Sequence, residues 1–111
     1  MMYSEWYKKP SDASRFKSVE DVLQCVCDVT RIAQYELAGL SRKRPVVDAR
    51  HLANYFLRTE CDYMSLADIG RITNRNHATV IHSINVHKSL IKTDFEFKQK
   101  AVLINLKLQQ L

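Results

Sequence analysis

Between Ser65 and Lys92 two helical runs are separated by only a few residues, and this spacing constrains the chain more than any other feature. Ser65-Leu66-Ala67-Asp68 opens the first run with a capping-box pattern, in which a hydroxyl and a carboxylate three residues apart satisfy each other's free backbone N–H groups. The run lasts about two turns before Asn74 and Asn76 interrupt it, since asparagine favours turns and caps over helix interiors. A further helix begins at Asn76 or His77, with Val80, Ile84 and Ile91 on one face and Lys88 and Lys92 toward its end. Two helices joined so tightly must cross at a sharp angle, as in a helix-turn-helix spanning about 65–92. Ile69 and Ile72 anchor its first helix, and Gly70 lets the pair approach closely.

The rest of the chain is also helical in pattern. Val19, Val22, Leu23, Val26 and Val29 recur at three- and four-residue spacing after Ser18, with Ser18 and Asp21 placed for a cap. A short helical turn within 32–40 is expected to stop at Gly39. Pro45 is expected to hold a loop open, and a long helix over about 48–60 then follows with Asp48 as its N-cap, carrying Leu52, Ala53, Phe56 and Leu57 inward. Thr93-Asp94 marks a break before a last helix. There Phe95, Val102, Leu103 and Leu106 form one apolar stripe, and Phe97, Ala101, Ile104, Leu108 and Leu111 a second beside it. Such a helix needs cover on two sides, from the N-terminal arm, from a second copy or from another protein. The fold class is therefore all-α, with an arm over 1–17 and a helical domain over 18–111. Tyr3, Trp6 and Tyr7 give that arm aromatics without periodicity.

Charge narrows the function. Of a net +5, residues 1–40 contribute −1, 41–77 contribute +3 and 78–111 another +3, so the basic excess starts abruptly at Ser41-Arg42-Lys43-Arg44. An acidic partner is implied. Cys25, Cys27 and Cys61 are an odd set, and Cys25 and Cys27 lie two apart on a helix, pointing to different faces. Neither a disulfide framework nor a metal site is expected, and a reducing, cytoplasmic setting is. No apolar run approaches the ~20 residues of a membrane span. No Ser/His/Asp or Cys/His arrangement stands out, so an enzyme is not expected. With Gly39 and Gly70 as the chain's two glycines and no GxxxxGK[ST], no nucleotide-cradling loop or cofactor is expected either. His82 is expected to pack against the preceding helix, His87 to pack or face solvent, and Cys61 to serve as a small hydrophobe.

Four segments in order carry a resemblance to a known family. Ser41-Arg42-Lys43-Arg44, Ala49-Arg50-His51-Leu52-Ala53-Asn54-Tyr55, Ser65-Leu66-Ala67-Asp68-Ile69-Gly70-Arg71 and Arg75-Asn76-His77-Ala78-Thr79-Val80-Ile81-His82 resemble the C-terminal DNA-binding domain (domain IV) of the bacterial replication initiator DnaA, a variant of the Trp-repressor-like fold. The similarity runs over about 19–90.

The resemblance implies sequence-specific binding of double-stranded DNA at DnaA-box-like sites, regulating replication initiation or transcription. It matches Arg42 to an arginine that enters the minor groove, with Lys43 and Arg44 on phosphates. Arg50, His51 and Arg58 fall where the long helix approaches the duplex, and Ser65 opens the helix that braces the backbone. Arg75, Asn76, His77, Ala78 and Thr79 fall in the turn and reading helix, where the family reads the major groove. Asn76 stands where the family commonly has an acid, Ala78 where it has threonine and His51 where it has glutamine, so the resemblance does not extend to the exact site sequence. The DnaA initiator also carries an ATPase module, which these residues do not resemble. A second reading keeps the fold but uses the apolar last helix to bind a replication or transcription protein, or a second copy.

Overall fold

The computed structural model describes residues 17–111, so the arm's aromatics lie outside the described residues. Lys17 itself is tied to the far end of the long helix. Its N–H donates to the Glu60 carbonyl at 3.2 Å, and its own carbonyl accepts from the Tyr63 hydroxyl and the Cys61 thiol.

Six helices follow: α1 Val19–Thr30, α2 Gln34–Leu37, α3 Arg44–Glu60, α4 Leu66–Thr73, α5 His77–Thr93 and α6 Phe95–Gln109. The described residues are all-helical, as expected. α1 starts where Ser18 accepts the Asp21 N–H, and α6 where Asp94 accepts the Phe97 N–H. α3 packs on α1, α4 and α5, while α6 packs on α1 and α5. Val22, Val26, Leu52, Leu57, Ile69, Val80, Phe97 and Ile104 meet in one core. Each large side chain buried there contributes about 1.5–3 kcal/mol of transfer free energy. Among the described residues no helix is long and apolar enough to cross a membrane.

Several expectations need correction. α3 begins at Arg44, not Asp48, and Lys43 takes the N-cap position without a side-chain cap bond. Pro45 starts this helix instead of holding a loop open, because a first-turn residue needs no N–H and proline's fixed φ suits it. Asp48 is left buried inside the first turns, where its carboxylate accepts from the Arg44 guanidinium at 2.9 Å. His82, expected to pack against the preceding helix, is exposed. On α6 the stripe of Phe97, Ala101, Ile104 and Leu108 is buried, whereas Phe95, Val102, Leu103 and Leu106 face solvent with Leu111. α2 ends through Ala38 in a right-handed conformation, and Gly39 has no positive φ.

Candidate nucleic-acid interface

The tight turn is built from three local devices. Ser65 Oγ accepts the Asp68 N–H and Asp68 Oδ2 accepts the Ser65 N–H, each at 3.1 Å, which closes the expected box. Burial acts to raise the Asp68 pKa, but the two Ser65 bonds and Arg71 outweigh it and hold the carboxyl below its ordinary value. Asn74 then ends α4 in the left-handed region at φ 56°, a conformation that asparagine tolerates better than most side chains. The Arg75 N–H returns to the Gly70 carbonyl at 2.8 Å. A Cβ on Gly70 would sit 2.2 Å from the Arg75 carbonyl oxygen, so a hydrogen is the largest group this crossing admits. Finally Asn76 Oδ1 accepts the Thr79 N–H at 2.8 Å and starts α5.

With Asn76 spent as a cap, the first turn of α5 presents His77, Ala78 and Thr79 to solvent. The free N–H groups of a helix start attract anions. An open depression of about 460 Å³ lies beside it, lined by Ala67, Gly70, Arg71, Asn74, Arg75 and His77 among others. Ile81 and His82 continue the exposed face one turn on. They were not among the residues read from the sequence as contacts, although they stand four after His77 and Ala78 and so share that helix face.

The basic loop is held beside this turn. Arg75 Nη2 donates to the Gly39 carbonyl at 2.7 Å, and Asn74 Nδ2 reaches the Ala38 carbonyl at 3.4 Å. Arg42 lies three residues beyond Gly39 and His77 two beyond Arg75. At no more than ~3.6 Å per residue, Arg42 lies within about 11 Å of Gly39 and His77 within about 7 Å of Arg75. Arg42, Lys43 and Arg44 are exposed. Arg44 also bridges Asp48 and Asp94, and its hydrogen bond to Asp48 raises its pKa first of all. Arg58, at the other end of α3, is exposed with one bond to the Met64 carbonyl, and Ser65 is exposed at the start of α4.

Arg50, expected where the long helix approaches the duplex, is buried. It is 7% exposed, and its guanidinium donates to the carbonyls of Leu37, Ser41, Glu36 and Gly39 at 2.7–3.1 Å. Four of its five N–H groups are thereby committed to the loop. Burial, and then the charge of Arg75, lower its pKa. Arg50 therefore shapes the loop that displays Arg42 and Lys43. Arg75 shares that work, giving bonds to the Thr73 and Asn74 carbonyls as well as to Gly39.

His51 is half-buried and also engaged: its Nδ1 meets Ser83 Oγ at 2.7 Å. Asn54 donates to the same hydroxyl and accepts from Thr73, so α3, the end of α4 and α5 share one buried polar chain. Such a chain sets the angle of α5 on the fold, because slipping either helix would strand its members. Desolvation by burial lowers the His51 pKa. Among the described residues no group of three His, Cys, Asp or Glu side chains is placed to hold a metal ion.

The family of bacterial DnaA protein helix-turn-helix domains matches residues 19–86, which takes in α1 through most of α5 and both halves of this site. The chain belongs to that family. It is 33% identical over 92 residues to the chromosomal replication initiator protein DnaA of Thermomicrobium roseum, covering 82% of this chain and 20% of the relative. The protein of the same name from Flavobacterium psychrophilum is 37% identical over 98 residues, covering 87% and 20%. That of Leptospira biflexa is 35% identical over 81 residues, covering 73% and 18%. The chain thus spans about one fifth of the length of these relatives. This domain IV-like chain carries the helix-turn-helix of the DnaA C-terminal region.

Proposed function

We propose that this DnaA-family domain binds double-stranded DNA sequence-specifically at DnaA-box-like sites, in the bacterial cytoplasm, and so regulates replication initiation or transcription. The observation that carries the reading is the Arg75–Gly39 clasp, which sets an exposed cationic loop beside an exposed, side-chain-capped helix start. His77, Ala78 and Thr79 would meet base edges in the major groove, with Ala78 suited to a thymine methyl. Arg42 would enter the adjoining minor groove, where a narrow A·T-rich stretch concentrates negative potential. Lys43, Arg44, Arg58 and the uncommitted donors of Arg75 would hold phosphates, while Ser65 and the start of α4 brace the backbone. The relatives' name, chromosomal replication initiator, supports a role at replication origins. Binding itself needs no nucleotide, cofactor or chemistry on the DNA.

Titrating the full chain with an initiator-type box duplex and a scrambled duplex, at near-physiological salt, tests this. Four phosphate contacts give a slope of log K against log salt of roughly −4. His77→Ala should cost ~1–3 kcal/mol of discrimination at one or two base pairs, and Arg42→Ala should weaken binding and flatten the A·T preference. Equal affinity for box and scrambled duplexes would defeat the proposal.

A further inference from the structure

A second open groove, also of about 460 Å³, lies between the later turns of α5 and the exposed side of α6, and the DNA reading makes no use of it. Tyr55, His87, Ile91 and Val102 line it, together with Lys92 and Lys98. His87 is stacked on Tyr55 with ring centroids 3.8 Å apart and planes 6° apart, so the groove is backed by a rigid aromatic pair. From Val102 the apolar surface runs on along α6 through Leu103 and Leu106, which stay 52% and 49% exposed. From Lys98 to Leu106 the groove and strip cover eight helical steps of α6, about 12 Å or some two turns.

The charges select an occupant. α5 contains no carboxylate and α6 only Glu96, against five lysines, Lys88, Lys92, Lys98, Lys100 and Lys107. Asp94 between the two helices is spent on Arg44 and on the Phe97 N–H. A second copy of α6 laid on this strip would set lysines against lysines. A small anion would satisfy Lys92 or Lys98 but leave Leu103 and Leu106 in water, and a duplex would use the lysines but not the apolar strip. We infer that the α5–α6 groove docks an acidic amphipathic helix of a partner protein, its apolar residues on the strip and its carboxylates on the flanking lysines. The docked helix would lie about 15 Å along α5 from His77, since ten helical residues separate His77 from His87.

The probe is a labelled synthetic 18-residue helix with leucines at i, i+3, i+4 and i+7 spacing and flanking glutamates, followed by fluorescence anisotropy with the full chain. A counterpart with lysines in place of the glutamates serves as control. The acidic peptide should bind at least tenfold tighter than the lysine one. Lys92→Glu with Lys98→Glu should lose at least tenfold of that affinity, as should Val102→Glu, with unchanged circular dichroism and box-duplex affinity within twofold. All three substitutions are at exposed positions, so the fold should survive them. Equal binding of the two peptides, or full affinity in the lysine variants, overturns the inference. So does a loss of duplex binding as large as the loss of peptide binding, which would make the lysines phosphate contacts. A concentration-dependent dimer abolished by Val102→Glu would hand the strip to a second copy and overturn it too. Failure here leaves the box-duplex titration unaffected.

Discussion

Arg50 separates two roles that a sequence gives equally to any arginine near a basic loop. Replacing it with methionine keeps the apolar stem and removes the guanidinium from four backbone carbonyls. Of these, Glu36 still accepts from the Gly39 N–H and Gly39 from Arg75, so the Leu37 and Ser41 carbonyls suffer most. Hydrogen bonds from a charged donor are worth ~1.5–3 kcal/mol each, and two of them lost together amount to about 3 kcal/mol once partial rehydration is allowed for. For a domain of this size, ~4–8 °C per kcal/mol converts that into a melting point lower by roughly 12–24 °C in DNA-free buffer. Arg50→Lys should fare little better, because one compact ammonium cannot span four carbonyls. A phosphate anchor predicts the reverse: unchanged melting, partial rescue by lysine, and a salt slope reduced by about 0.9. Calorimetry of both variants without DNA decides between them, and melting within 2 °C or so of wild type would refute the loop-holding role.

Gly70→Ala should shift the α4–α5 turn, since the new methyl meets a backbone oxygen at 2.2 Å; a loss of ~1–3 kcal/mol and of most box affinity is expected, and wild-type binding would contradict it. Asn76→Ala should cost ~1 kcal/mol by freeing the Thr79 N–H, read as a lower denaturant midpoint, whereas Asn76→Asp should keep the cap and an unchanged midpoint. Burial, then the charges of His51 and Lys88, push His87 down to about 4 from 6.5, so it is neutral in the fold and takes a proton more readily when unfolded. Stability should therefore fall by up to ~1.4 kcal/mol per pH unit between about pH 6.5 and 4, some 3 kcal/mol in total. His87→Leu, which also removes an Nδ1 without a hydrogen-bond partner, should flatten that fall in denaturant titrations at pH 7 and pH 5; an equal fall in both proteins would clear His87 of the effect.

The elements most visible in the sequence were those governed by contacts three or four residues apart. Ser65 with Asp68, Asn76 before His77 and Asp94 before Phe95 each set a helix boundary through a bond between near neighbours. The start of α3 is ambiguous in the sequence because Asp48 and Pro45 carry conflicting local signals: an aspartate suits an N-cap, but a proline also suits a first turn. Arg44 in that first turn reaches both Asp48 and Asp94, the second of them 50 residues away. Both stripes of α6 are visible in the sequence, but spacing is the same for a face that is covered and one that is not.

By itself the sequence determined the helical class, the family, the tight turn around Asn74 and the grouping of positive charge after Ser41, because caps, periodicity and charge order act over a few residues. Tertiary structure alone decided what each cation does. Arg42 and Arg50 are indistinguishable as letters, yet one is exposed and the other is drawn inward by four carbonyls supplied by a folded loop. The same holds for His82 and His87, of which one faces water and the other lies stacked under Tyr55. Burial and long-range hydrogen bonding are properties of segments brought together, and no single stretch of chain contains them.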